Sequence, residues 1–104
     1  MQQVLIDKIA VPANAKEAFI QRMNYNRDFI KKLTGFLKDE VYEQTDESGN
    51  LICTTIAVWE NADALKKAKE TVDAEYKRIG FNAAEFCERL NIKFERGIYQ
   101  PMDY

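Results

Sequence analysis

The sequence contains no histidine, and this absence excludes more chemistry than any other feature of its composition. Histidine is the usual base near neutral pH, the commonest metal ligand and a frequent axial ligand of heme. Serine is nearly absent as well, because Ser48 is the only one and lies in a polar, turn-like segment. A serine triad and a cysteine/histidine metal set are therefore excluded.

Glycine, cysteine and charge of one sign are also scarce. The four glycines form no phosphate-binding loop. Cys53 and Cys87 match no metal or redox spacing, and we interpret them as reduced thiols of a cytoplasmic protein. The 15 basic and 17 acidic residues are spread along the chain and give a formal net charge of −2. Nucleic acid is therefore not expected as a partner.

Long hydrophobic runs are missing too. The longest apolar runs are far shorter than the ~20 residues that a membrane-spanning helix needs. The N-terminus lacks the charged and then apolar pattern of a signal peptide. We expect a single domain over residues 1–104, located in the cytoplasm and without a membrane partner.

Aliphatic and β-branched runs predict four strands. Residues 4–11 form the first, which Pro12 ends, and residues 36–45 form a second, more polar strand. Residues 51–59 follow a hairpin turn and are apolar or neutral on both faces, which is typical of a strand that is covered on both sides. Residues 92–99 form the fourth strand.

An asparagine precedes each predicted helix. Asn14, with Glu17 three positions later, forms a capping-box pattern, and Asn61 and Asn82 open the second helix and a short last helix. Gly35 and Gly80 end the first two helices. The first helix carries an apolar stripe at helical spacing: Phe19, Met23, Ile30 and Leu33.

The order of these elements is βαββαβ. Right-handed crossovers then favour a ferredoxin-like α+β fold, with a four-stranded antiparallel sheet and the helices on one face. The other sheet face would be bare, although the third strand is apolar on that side as well. In so short a chain a second copy is the simplest cover, and we expect a homodimer with sheets packed face to face.

Nearly the whole chain resembles the antibiotic biosynthesis monooxygenase family, whose members have the dimeric α+β barrel fold. The resemblance is carried by short motifs spread over the predicted elements: the strand before Pro12, Ala18-Phe19, Gly35-Phe36, Val58-Trp59-Glu60, the helix around Leu65, and Gly97-Ile98-Tyr99. It implies a monooxygenase that needs no cofactor and acts on a small aromatic or quinol-like substrate.

A heme-degrading branch of the family pairs an Asn on the first strand with a Trp that ends the third strand and a His on the next helix. Trp59 matches the Trp, but Asp7 stands in place of the Asn. Lys69 or Glu70 occupies the region of the His. Heme degradation is therefore a disfavoured alternative, because the axial imidazole is missing.

Three residues are candidates for catalysis. Trp59 could stack on a planar substrate or simply anchor the helix to the sheet. Asp7, between apolar neighbours, could act as a base if it faces the pocket, or could be structural if it faces solvent or pairs with a lysine. Asn26 interrupts the apolar stripe of the first helix, where its amide could bind a substrate oxygen or lie at the edge of the stripe.

Four aromatic residues are candidates for substrate binding, and each could equally be a core residue: Phe19, Tyr25, Phe29 and Tyr76. A pocket between helices and sheet would use them to hold a small aromatic or hydrophobic substrate. The alternative function is a non-catalytic dimeric module of the same fold that binds such a ligand.

Overall fold

A computed structural model describes residues 1–102 of the protein. Within these residues the chain forms four strands, three α-helices and a short 3₁₀ turn at Ala13–Ala15. In chain order the elements are β1 (Gln3–Val11), α1 (Lys16–Ile30), β2 (Phe36–Thr45), β3 (Leu51–Trp59), α2 (Ala62–Ile79), α3 (Ala83–Arg89) and β4 (Lys93–Tyr99).

The strands form one antiparallel sheet in the order β2-β3-β1-β4. Because side chains alternate between the faces of a strand, the odd-numbered residues of β1 and β3 share one face. The buried side chains of α1 and α2 pack against this face. The predicted ferredoxin-like α+β fold, with its helices on one side of the sheet, is confirmed.

Asparagine caps fix the start of α2 and α3. The Asn61 side chain accepts a hydrogen bond from the Ala64 N–H at 2.8 Å, and the Asn82 side chain accepts one from the Glu85 N–H at 2.9 Å. Gly80 then ends α2 in a left-handed conformation with φ of 70°. These caps and this stop are the ones predicted from the sequence.

The start of α1 differs from the prediction. Asn14 lies inside the 3₁₀ turn and forms no capping hydrogen bond, so the predicted capping box is wrong. Pro12 explains the difference, because its carbonyl accepts the Ala15 N–H at 2.9 Å and winds the chain into a tight turn before the helix.

Gly35 joins α1 to β2 at a point where only glycine fits. Its φ is +86°, and a Cβ atom added there would collide with the Cβ of Ala64 on α2. This close approach brings the first turn of α2 against the start of β2, where the Glu60 N–H donates to the Gly35 carbonyl at 2.8 Å.

The helix-facing core is divided into two apolar clusters. The first lies around Ile9, Val11 and Cys53, and the second lies around Trp59, Leu65 and Ala68. Asp7 and Thr55 are register partners and lie on the same face between the two clusters. Asp7 is two residues before Ile9 on β1, and Thr55 is two residues after Cys53 on β3. The interior is therefore polar where the middle of β1 meets the middle of β3.

The opposite face of the sheet carries several apolar side chains that α1, α2 and α3 do not cover. On the central strands it includes Val4, Ile6, Ile52 and Ile56, all of them half-buried. Tyr42 and Tyr99 on the outer strands are 54% and 53% exposed. This mixed apolar face has the character predicted from the sequence of β3.

Candidate functional site

Asp7 is the charged side chain that the fold buries most deeply among the described residues, at 8% exposure. It accepts two hydrogen bonds from Arg96 on β4, at 2.8 and 3.0 Å. The two residues are register partners on adjacent strands, so they point to the same, helix-facing side. The partner predicted for a structural Asp7 was a lysine, and the structure shows an arginine instead.

A second ion pair continues this polar region toward the other edge of the sheet. Arg27 on α1 donates to Asp39 on β2 at 2.6 Å, and the Asp39 side chain is only 12% exposed. Two ion pairs, from β1 to β4 and from α1 to β2, therefore lie on the helix-facing side of the sheet, together with Thr55.

Tyr76 extends from α2 toward the same region. Burial raises the pKa of its hydroxyl, while the charge of Arg22, hydrogen bonding by Asn26 and the charge of Arg96 act in the opposite direction. Near neutral pH the hydroxyl is protonated and can donate a hydrogen bond. Tyr76 is therefore close to Asn26 and to Arg96, the partner of Asp7. We call this group of residues, from β1, α1, α2 and β4, the polar layer, and it includes three predicted site residues: Asp7, Asn26 and Tyr76.

Arg22 lies one helical turn before Asn26 and forms the outer part of this layer. Its guanidinium carbon is 3.8 Å from the centroid of the Phe81 ring and 5.1 Å from that of Tyr25. Phe81 also packs edge-on against Tyr76, with 5.0 Å between ring centroids. Nη1 of Arg22 is buried and has no hydrogen-bond partner among the residues that the structure describes.

Trp59 lies apart from the polar layer, in the second apolar cluster. It is 2% exposed and packs edge-on against Phe36, with 5.5 Å between ring centroids. Its indole Nε1 is buried, and within residues 1–102 no acceptor reaches it. The residue therefore anchors helix to sheet and also carries a buried donor that a water or a ligand could satisfy.

The other predicted aromatic residues occupy different environments. Phe19 is buried in the first apolar cluster, and Phe29 is half-buried on α1. Tyr25 is 39% exposed and donates a hydrogen bond to Glu75. That bond raises the Tyr25 pKa, whereas the hydrogen bonds from Arg78 and Tyr25 lower the Glu75 pKa to about 2.

Arg22 and Arg96 are members of the site that sequence reasoning missed. Both carried a detectable signal. Arg22 precedes Asn26 by four residues and so shares its side of the helix. Arg96 lies between Phe94 and Ile98 on one face of β4, as Asp7 lies between Leu5 and Ile9 on β1. Opposite charges on the apolar faces of two strands indicate a buried cross-strand pair.

Two open depressions on the described surface lie outside the polar layer. One, of about 410 Å³, is lined by Ala13 of the 3₁₀ turn and by the first turn and a half of α1. The other, of about 540 Å³, lies between the end of α1 and the start of α2. Leu33 and Ala68 line this second depression and also belong to the apolar cluster of Trp59, so the cluster borders the depression.

The residues near Trp59 do not fit an axially ligated heme. The α2 side chains packed in its cluster are Leu65 and Ala68, whereas Lys69 and Glu70 are exposed. No group of three or more Cys, Asp and Glu side chains in residues 1–102 is arranged to hold a metal ion. Over the same residues, no helix has both the length and the apolar composition needed to cross a bilayer.

No family model and no curated protein matches this sequence. Solved structures do match it over almost its whole length. SnoaB, a cofactor-independent oxygenase from Streptomyces nogalater, is 18% identical with a TM-score of 0.66, covering 99% of this chain and 95% of that chain. A protein from Deinococcus radiodurans, provisionally described as an antibiotic biosynthesis monooxygenase, is 15% identical with a TM-score of 0.65, covering 98% and 94%.

A third similar structure is a dimeric ferredoxin-like protein from an uncultured marine organism. It is 11% identical with a TM-score of 0.69, and the match covers 100% of both chains. At such low identities these likenesses concern the fold. At that level they confirm the ferredoxin-like architecture and the resemblance to the antibiotic biosynthesis monooxygenase family.

Proposed function

We propose that this protein is a cofactor-independent monooxygenase that oxidises a small aromatic or quinol-like substrate between its helices and its sheet. The observation that carries the proposal is the polar layer of Asp7, Asn26 and Tyr76 between two apolar clusters, with Arg96 at its solvent-exposed edge. Buried polar groups of this kind are unfavourable for stability alone and are typical of sites that orient a ligand. The fold shared with SnoaB, itself a cofactor-independent oxygenase, supports the same reaction class.

In this chemistry the substrate supplies the electrons. Loss of a proton gives an electron-rich phenolate or carbanion, which transfers an electron to O₂. For an anthrone-like substrate, one oxygen atom of O₂ becomes the new carbonyl, and the other leaves as water with the two hydrogens of the reacting carbon. The protein has to orient the substrate and exclude solvent, which suits a chain that lacks histidine.

Each polar residue has a role in this proposal. Asp7 accepts the substrate proton and thereby loses its charge. Arg96, whose side chain is 44% exposed, can then be solvated by water in place of its ion pair. The Tyr76 hydroxyl and the Asn26 amide donate hydrogen bonds to the developing oxyanion. In this proposal Tyr25 and Phe29 stack against the substrate, and Phe19 and Trp59 shape the site from the two apolar clusters, where the buried indole N–H of Trp59 has an unused donor.

Oxygen uptake tests the proposal directly. Reduced quinols and anthrone-like phenols are offered to the wild type and to the variants Tyr76→Phe, Asp7→Asn and Trp59→Ala. We expect kcat/KM to fall roughly tenfold to hundredfold on loss of one positioned donor or base. Tyr42→Phe, which removes a hydroxyl on the other face of the sheet, is the matched control and should retain activity.

Wild-type uptake no faster than that of Trp59→Ala contradicts the monooxygenase proposal. Saturable binding of the same compounds without oxygen uptake would favour the non-catalytic ligand-binding module. The two open depressions and the buried unpaired donors support ligand binding by such a module as well as by an enzyme.

We also propose a homodimer in the cytoplasm. The apolar residues on the bare sheet face and the dimeric state of the similar marine protein support the homodimer. The free thiols of Cys53 and Cys87 are compatible with a reducing compartment.

A further inference from the structure

The charge of Arg22 is not balanced by any described residue. Its guanidinium forms no hydrogen bond and no salt bridge in residues 1–102, although Nη1 is buried. A guanidinium has five N–H donors and is always protonated. Arg22 as a whole is half-buried and its guanidinium stacks on the Phe81 ring, but Nη1 is a buried donor without an acceptor. Such a donor on a cationic group favours an anionic oxygen ligand, which would complete the site.

Three carboxylates around the polar layer are already engaged by other cations, and a fourth, Asp73, is exposed to solvent. Asp7 accepts both of its hydrogen bonds from Arg96, and Asp39 pairs with Arg27. Glu75 accepts from Arg78 at 2.7 and 2.9 Å and also from Tyr25. Asp73 acts on Tyr76 through its charge but is exposed on α2 and forms no salt bridge among the described residues. The polar layer therefore keeps an excess positive charge.

The surroundings of Arg22 select the shape of the missing anion. The guanidinium lies over the Phe81 ring, and Tyr25 and Tyr76 provide two further aromatic side chains beside it. A flat aromatic ring would pack against such a wall. The planar fork of a guanidinium matches a carboxylate, which can accept two parallel hydrogen bonds from it.

We infer that Arg22 binds the carboxylate of the substrate, which is therefore a planar aromatic acid. The inference rests on the proposed function and narrows its substrate class. Arg22 fixes the acid group at the outer end of the polar layer, near Tyr25 and Phe81. The ring then extends inward, toward Tyr76 and the Asp7–Arg96 pair.

A carboxylic acid and its uncharged amide, compared as ligands, test the inference. Anthracene-2-carboxylate and anthracene-2-carboxamide have nearly the same shape but differ in charge, and calorimetric titration gives the Kd of each. For wild type we expect the carboxylate to bind at least about tenfold more tightly, the size of effect typical of a hydrogen bond to a charged group. Arg22→Gln should bring the ratio of the two affinities close to one.

The matched control is Arg89→Gln, which removes the same charge from an exposed arginine on α3. It should keep the wild-type preference, and equal loss in both variants would overturn the inference. Equal wild-type affinity for acid and amide would also overturn it while leaving the proposed pocket intact. No binding of either compound would refute the pocket of the proposed function, and with it this inference. Should Arg22→Gln fail to fold, the wild-type ratio and Arg22→Lys decide the question.

Discussion

Asp7 is a carboxylate at a strand position whose neighbours on the same face, Leu5 and Ile9, are apolar. Such a residue contributes little to stability compared with an apolar one of similar size, even when it is paired. The Asp7–Arg96 pair is therefore a position where the oxygen-uptake measurements of the Asp7→Asn variant test the proposed function directly. Thr55 beside it keeps the neighbouring position on β3 polar as well.

The two cysteines differ in how far the fold protects them. Cys53 is 1% exposed in the first apolar cluster, and Cys87 is half-buried on α3. Burial raises the pKa of both thiols, most directly by removing water from the thiolate. In the native protein at pH 8 we expect Cys53 to react with a disulfide reagent at least about tenfold more slowly than Cys87.

Absorbance of the released thiolate measures both rates. Cys87→Ser should leave only the slow reaction, and guanidinium should make both thiols of the wild type fast. Two equally fast thiols in the native protein would contradict the burial of Cys53.

At the scale of the elements, the asparagine caps contribute to the free energy of unfolding by an amount that can be measured. Asn61→Ala removes the acceptor of the Ala64 N–H and should lower the free energy of unfolding by about 1 kcal/mol. Asn14→Ala is the matched control and should change it by only a few tenths, since Asn14 caps nothing. Urea denaturation gives both values, and similar losses in the two variants would show that Asn14 is a cap after all.

The elements also show what could be predicted from sequence and what could not. The bounds of β2 and β3 agree with the prediction because a turn with glycine and asparagine separates them and Asn61 follows at once. The prediction of a cap at Asn14 was wrong because its capping-box pattern follows Pro12, which favours a 3₁₀ turn. The pairing of Asp7 with Arg96 depends on strand register, and the pattern of one strand does not fix its alignment with another.

At the scale of the whole molecule, the bare face of the sheet leads to a prediction about assembly. Ile56 lies near the middle of this face, opposite Ile6 on β1. If two copies pack there, Ile56→Glu places buried carboxylates against each other and should convert the dimer to a monomer. Light scattering of the wild type should give twice the chain mass of 12.1 kDa, and the variant should give that mass itself.

The control for this experiment is Ala74→Glu, which adds the same charge at an exposed position of α2. It should remain a dimer. A wild type that runs as a monomer at tens of micromolar would remove the homodimer from the proposal, and the unfolding curve of Ile56→Glu verifies that the variant is folded.

The divided interior has a mechanical consequence. The Arg27–Asp39 ion pair joins α1 to the sheet, and incoming water can replace its bonds when they break, whereas separating the helices from the sheet at either apolar cluster would expose hydrocarbon. The helices and the sheet should therefore separate transiently at the polar layer, between Asp39 and Arg96. The two apolar clusters hold them together on either side. A ligand could enter and leave through this opening without unfolding the protein.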